Sequence, residues 1–462
     1  MFVATVIFVL TVVATTTSLS KHPLVLLMSF DGLRPDYVSE NLTPNLAKFR
    51  ATGAVPPYMR NVFPTKTFVN HFSIATGLYP EVHGVLDNHM YDEEYHLMHN
   101  TYEQFHYNDR VVPIWTENEF NGDGRHSGVM MWIASEFAYQ GKMPTHIAMY
   151  NRTMSWTSRL DQMLSWFKDD KKPANLVYAY FEQPDKVGHI FGIHSPEIKE
   201  QTVRVDATVK YLIDLIKKEG LETKINLIIV SDHGMESVAY DHLIYLNKYV
   251  DTTTFTNIST GPNMFIHPNP NKFLEVYKNL TEMANATGQF HVYTKENVLT
   301  RWHMNNSARL EGLIYLLAEP KYAFSDTYIE NNFKGRDISK AEVGVHGYDN
   351  QESSMHAFFM AQGPAFKKNF TATPFDNVDL FPLVAHILNI KQLSNHVPTN
   401  GTITNVQPLL SGSQDVSILL YNLAFKKDTI SKHLKTAPIS NAMEIFYYPR
   451  LFINTFISQH FD

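Results

Sequence analysis

The chain of 462 residues contains no cysteine. Disulfides, a thiolate nucleophile and thiolate metal ligands are therefore excluded. There is no basic run either. Lys and Arg number 39 against 46 Asp and Glu, a net charge of −7. A binder of the nucleic-acid backbone would need a positive stripe, so that class is set aside. No G-x-S-x-G elbow is present. No internal repeat or low-complexity segment occurs. After residue 21 no stretch stays apolar for eighteen residues; "VSILLYNLAF" (416–425) reaches ten. Neither a transmembrane helix nor a lipid-anchor tail is expected.

What is present points to a large folded enzyme. Hydrophobic residues make up 44% and charged residues 18%, enough to build a substantial core. Residues 1–20 carry no charged side chain, and an apolar stretch from Phe2 to Ala14 is followed by small residues, with Ser18 and Ser20 before Lys21. This is the pattern of a signal peptide, too short to span a bilayer. Sequons beginning at Asn41, Asn151, Asn257, Asn279, Asn285, Asn305, Asn369 and Asn400 support a secreted, extracellular chain bearing N-glycans. A core of this size does not need the disulfide staples of small exported domains.

Short apolar runs end repeatedly in polar clusters. "LVLLMSF" ends at Asp31, "NLVYAYF" (175–181) at "EQPD", and "INLIIVS" (225–231) at "DHGM". Their lengths and branched or aromatic content predict buried strands. Between them, 195–220 has a capping Ser195, Pro196 behind it, a 3.6-residue period and a Lys-Lys/Gly220 end, which predicts a long helix. Strands alternating with helices imply an α/β fold, a mostly parallel sheet covered by helices on both faces. Ligands then bind beyond the carboxyl ends of the strands, so the three clusters should meet on one edge. Residues from about 255 to 335 read as strand, helix, strand and a further strand, a small α+β insertion. The main domain is expected over 21–430, with a tail of unassigned role at 431–462.

Candidate chemistry sits in those clusters. Asp185 and His189 are four residues apart, so they share one face of a helical turn. Asp232 and His233 follow a strand directly, and His346 lies between glycines. With Asp31 these make six oxygen and nitrogen ligands, enough for two metals with three protein ligands each and room for a nucleophile and a substrate oxygen. Mixed Asp/His ligation suits zinc in an open catalytic site; the same ligand types suit manganese or iron. Each residue also has a plainer reading: Asp31 as a turn acid before Gly32, Asp185 and His189 as a surface pair, His346 as a loop histidine. For the nucleophile, Thr65 and Thr67 precede an apolar-periodic segment, where a helix N-terminus would favour an anion. Thr67 could equally be an N-cap.

The segments "SFDGLRPDY", "NVFPTKTFVNHFSIATGLYPEVHGVLDNHMYD", "YFEQPDKVGH", "IIVSDHGM" and "GVHGYDNQESSMHAFFMAQGPAF" stand in an order that resembles the ectonucleotide pyrophosphatase/phosphodiesterase family of the alkaline phosphatase superfamily. The likeness runs from about Leu24 to Leu410, includes "VYTKENVLTRWH" in the insertion, and is strongest to the short branch with a single catalytic domain. The resemblance implies an alkaline-phosphatase-like fold and a two-zinc phosphodiesterase. One Zn2+ would take Asp31, Asp232 and His233, with Thr67 bridging; the other would take Asp185, His189 and His346. Thr67 would attack phosphorus and form a phospho-threonine, which water would then hydrolyse. Asn88 matches the residue that donates its amide to a phosphate oxygen. Phe68 and Tyr150 match positions that sandwich a nucleobase, and Trp132 and Glu136 match pocket-wall positions. "TKTF" is closer to the nucleotide-hydrolysing branch than to the choline-phospholipid branch. The expected activity is hydrolysis of nucleotides of the ATP, dinucleoside polyphosphate or NAD type to nucleoside 5′-monophosphates. The alternatives are a choline phosphodiester lipid hydrolase or an inactive exported nucleotide-binding protein. The family pattern is altered at Val69, at Ile133-Ala134 and at Ile193-His194, positions expected on the pocket rim. The family's disulfides are absent.

Overall fold

A computed structural model describes residues 19–92, 94–259 and 261–412. The signal-peptide segment up to residue 18, the "VSILLYNLAF" stretch and the expected tail lie outside the described residues. The described residues up to Leu409 form one compact unit. Its centre is an eight-stranded sheet: β1 (Leu24–Phe30), β2 (Ala54–Val55), β3 (Ser127–Met130), β4 (His146–Ala148), β5 (Leu176–Phe181), β6 (Ile225–Val230), β7 (Phe359–Gln362) and β8 (Phe370–Thr371). The strand order is β8-β2-β7-β6-β1-β5-β3-β4. All pairings are parallel except those of β7 with β6 and β2.

Every residue of β1 and β6 is buried, as expected of a sheet covered on both faces. Alternation along β1 divides the layers. Leu24, Leu26, Met28 and Phe30 join a core with α1 (Pro44–Thr52), and with α4 (Trp156–Phe167) and α6 (Pro196–Lys218). The opposite face meets α2 (Thr67–Thr76) through Ser29, together with α3 (Ile114–Phe120) and α8 (Leu380–Leu388). The helix read at 195–220 begins as its cap requires, with the Ser195 side chain accepting the Ile198 N–H.

The insertion follows its sequence pattern. Strands Phe255–Asn257, Asn263–Pro268, Ile314–Ala318 and Phe290–Tyr293 form an antiparallel sheet in that spatial order, and α7 (Phe273–Thr287) lies between the second and fourth. It buries a second hydrophobic core containing Ile266, Leu280, Ile314 and Leu316.

The topology places three acids together. β5, β1 and β6 are neighbours. The register pairs Ser29 with Val230 and Phe30 with Phe181, so continuing each strand by one or two residues puts Asp31 beside Asp232 and close to the turn that leads to Asp185. That turn opens α5 (Asp185–Phe191). The carboxyl ends of three adjacent parallel strands thus deliver the acids to one edge.

Candidate metal centre and active site

Asp31, Asp232, His233 and His346 are buried, each at most 4% exposed. Tyr180 donates its hydroxyl to Asp31 Oδ2 at 2.6 Å. The Gly32 N–H donates to Asp232 Oδ1 at 3.2 Å, and the Asp185 N–H to the Asp31 carbonyl at 3.0 Å. Gly32 makes this possible. Its φ is +67°, and a Cβ there would stand 3.0 Å from the Asp185 Cβ. The turn residue and the ligand are parts of one device, since the turn aims Asp31 and admits Asp185.

One oxygen of each acid is left over. Asp31 Oδ1, Asp185 Oδ1 and Asp232 Oδ2 are buried without a hydrogen-bond partner. Around them stand histidine Nε2 atoms: His233 at 3.4 Å from Asp31 Oδ1 and 2.9 Å from Asp232 Oδ2, and His189 and His346 at 3.4 and 3.5 Å from Asp185 Oδ1. Each histidine commits its other nitrogen to a carbonyl, which can only accept. The Nδ1–H groups of His189, His233 and His346 donate to Gly344, Gly234 and Thr65, each at 2.8 Å. That fixes the tautomer and leaves Nε2 as a ligand atom.

Electrostatics match. Burial, reinforced by Asp185 and Asp232 nearby, pushes Asp31 well above the usual carboxylate range. Burial opposes charge on Asp232 as well, but His233 and His71 outweigh it and hold that acid at about 2. Burial, with the neighbouring histidines, drives His346 well below its ordinary value. Clustered buried acids beside imidazole nitrogens are the donor set a divalent cation satisfies.

The ligand atoms form two triads, Asp31–Asp232–His233 and Asp185–His233–His346, within each of which the atoms lie no more than 4.8 Å apart. These candidate metal triads are consistent with a two-zinc centre. The first contains the residues expected for one ion. The second has His233 where His189 was expected, and His233 and His346 stack face to face at 3.6 Å. His189 remains beside Asp185 at 3.4 Å. His346 lies in the loop that directly follows a strand, Glu342–Val345, which pairs with Glu236–Ala239 and brings it to the centre.

Thr67 is the first residue of α2, with Lys66 in the capping position. The N-cap reading of Thr67 is therefore corrected: its Oγ1 lies 3.2 Å from His233 Nε2 instead. Thr65 is structural. Its hydroxyl donates to the Tyr348 carbonyl and accepts the Gly347 N–H, both at 2.9 Å. Asn88 Oδ1 accepts the Phe68 N–H at 2.8 Å, leaving its NH2 group as the donor for another partner.

The remaining expected pocket residues separate. Phe68 is half-buried beside Thr67. Tyr150 is 56% exposed, with its ring 6.4 Å from that of Tyr180. Glu136 accepts a 2.6 Å hydrogen bond from Asn100 Nδ2. Trp132 departs from expectation. It is 1% exposed, donates its indole N–H to the His71 carbonyl, and packs edge-on against His71 and Tyr178, so it supports α2 from behind and lines no open wall. The altered family positions are also mostly not on a rim: Val69, Ile133, Ala134 and Ile193 are buried, and His194 alone of that set is exposed.

Three contributors were missed in the sequence. Tyr180 orients Asp31. His71 sits one helical turn from Thr67, with Nδ1 donating to the Thr67 carbonyl at 2.8 Å and Nε2 2.9 Å from Ser29 Oγ. Gln104, fully buried, donates to the carbonyls of Asp87 and Asn88 and accepts the Asn100 N–H. His71 had a signal, its i+4 spacing from Thr67; Tyr180 and Gln104 had none beyond lying near motifs.

Comparison with known proteins finds relatives over most of the chain. Residues 25–349 match the model of the Type I phosphodiesterase / nucleotide pyrophosphatase family. The human ectonucleotide pyrophosphatase/phosphodiesterase family member 5 is 36% identical over 413 residues, covering 88% of this chain and 82% of the relative. The human bis(5′-adenosyl)-triphosphatase is 35% identical, covering 85% and 83%. A solved structure of murine ectonucleotide pyrophosphatase/phosphodiesterase 5, an inactive threonine-to-alanine variant in complex with AMP, superposes with a TM-score of 0.75 at 34% identity, covering 84% of this chain and all of that one. The fold is alkaline-phosphatase-like and the chain is a hydrolase of the phosphodiesterase type. It belongs to the Type I phosphodiesterase / nucleotide pyrophosphatase family.

Proposed function

We propose that this chain is a secreted nucleotide pyrophosphatase/phosphodiesterase with two zinc ions, releasing nucleoside 5′-monophosphates through a phospho-threonine. The observation that carries the reading is the convergence of three orphaned carboxylate oxygens and three Nε2 atoms beside the Thr67 hydroxyl. Asp31, Asp232 and His233 would hold one ion next to Thr67; Asp185, His189 and His346 would hold the other. When bound, the ions supply the positive charge that lowers the hydroxyl pKa and stabilises phosphoryl oxygens. The chain's own residues do the rest. Thr67 gives its hydroxyl proton to solvent and Oγ1 attacks phosphorus in line; the bond to threonine forms as the bond to the leaving group breaks, and the leaving group takes a proton from solvent. Water then attacks the same phosphorus, the threonine ester breaks, and the hydroxyl is restored. Asn88, clamped by Phe68 and Gln104, donates its NH2 to a phosphoryl oxygen. Phe68 and Tyr150 stack the base, and Glu136 borders the pocket.

Export rests on residues 1–20 and the sequons. Asn41, Asn151, Asn257, Asn285, Asn369 and Asn400 are exposed, and Asn279 and Asn305 are partly buried. Among the described residues no helix is long and apolar enough to cross a membrane.

The test compares p-nitrophenyl esters of AMP and of phosphocholine as substrates for wild type, Thr67→Ala and Thr67→Ser. Preference for the AMP ester is expected. Thr67→Ala should abolish turnover with bound zinc unchanged, since it deletes only the attacking oxygen, and Thr67→Ser should keep part of it. Preference for the choline ester would reassign the substrate, and full activity in Thr67→Ala would remove the nucleophile.

A further inference from the structure

Asn88 and Phe68 are held by a short hairpin whose second strand, His96–Met98, lies beyond the family motifs. Met90–Asp92 pairs antiparallel with His96–Met98, Met90 opposite Met98. One step beyond that pair, the same register sets His89 opposite His99, and their rings stack at 4.1 Å and 11°. The stack continues: His99 lies on Phe68 at 5.1 Å and 15°. Three rings thus run in near-parallel order, Phe68, His99, His89. His99 Nδ1 donates to the Asn88 carbonyl at 3.0 Å, while Asn88 Oδ1 holds the Phe68 N–H. The base of the hairpin is fixed by Gln104, which binds Asn88 on one side and Asn100 on the other, and by the Asn100–Glu136 hydrogen bond.

A phenyl ring has two faces, and His99 occupies one of them. Phe105 meets the same ring obliquely, 5.9 Å away at 46°, and with His99 it fixes the orientation in which Phe68 offers its remaining surface to a ligand. A half-buried ring less firmly backed would lose more rotamer freedom on binding, at a cost to affinity. We infer that His99 is a positioning residue that pre-sets Phe68 as the stacking platform for the substrate's base, with His89 as the second layer behind it. The inference rests on the nucleotide reading above. It adds that base recognition in this chain depends on the paired segments 89–92 and 94–99, and that the contribution acts through Phe68 and not through the phosphoryl centre. Neither histidine is required here to change its charge.

Two phosphodiesters with the same leaving group separate the effects: the p-nitrophenyl ester of AMP, which carries a base, and methyl p-nitrophenyl phosphate, which does not. In wild type the AMP ester should have the lower KM. In His99→Ala its KM should rise about five- to tenfold, the scale of an aromatic stack, with kcat near wild type and the methyl ester unaffected. His99→Phe, which restores the stack, should recover most of the KM. An unchanged KM in His99→Ala overturns the inference, as does an equal loss of kcat on both esters, which would mark His99 as a support of Asn88 or of the fold. If wild type itself handles both esters with equal KM, the nucleotide reading fails and the inference falls with it.

Discussion

The centre is assembled from side chains that are each half satisfied. Asp31 gives one oxygen to Tyr180 and keeps the other free; the three histidines each give one nitrogen to a carbonyl and keep the other. Partners of this kind set ligand orientation, and their removal typically lowers metal affinity or activity about 10- to 100-fold. Tyr180→Phe removes one hydroxyl and leaves Asp31 Oδ2 buried without its donor. Zinc affinity by competition with a chromogenic chelator is expected to fall by about that factor; unchanged affinity would show that Tyr180 only packs. At this scale the sequence was informative where a residue type is rare in its setting. An acid at the end of an apolar strand stands out. Tyr180 does not, because a tyrosine in a buried strand looks the same whether its hydroxyl meets a carboxylate or nothing. His189 shows the other limit. Spacing put it on one face with Asp185, which holds, but spacing carries no information about the distance to His346.

Among elements, the turn after β1 matters most. Gly32 needs a left-handed conformation, and it touches Asp185 across the gap between two strand ends. Gly32→Ala combines a cost of about 1–2 kcal/mol for an L-residue in that conformation with a contact that separates Asp31 from Asp185. A lower denaturation midpoint together with loss of bound zinc is the expected outcome; a stable protein with full zinc would contradict the role given to this turn. The strands and the long helix were legible because each is buried on both faces or carries a cap and a clear period. The insertion was legible for the same reason: its strand–helix–strand order is local. The short ladder of Glu236–Ala239 with Glu342–Val345 was not, since its partners lie about a hundred residues apart and neither is apolar enough to signal a strand. Trp132 was misplaced for a related reason. Motif position gave its neighbourhood, while its burial is decided by His71 and Tyr178, which come from two other elements.

For the whole molecule, three buried acids at one sheet edge repel one another unless cations lie between them. Folding and metal binding are therefore coupled. Removing zinc with a chelator should lower the thermal midpoint by several degrees, because a ligand present at a thousandfold its Kd contributes about 4 kcal/mol, and added zinc should restore it. The same coupling gives the most direct test of the two-zinc reading. Demetallated protein is titrated with zinc while bound metal and hydrolysis of the AMP ester are followed together. Two ions bound per chain, with no turnover in the metal-free protein and full turnover only as both sites fill, is the expected result. Turnover by fully demetallated protein, or saturation of activity with one ion bound, would contradict it.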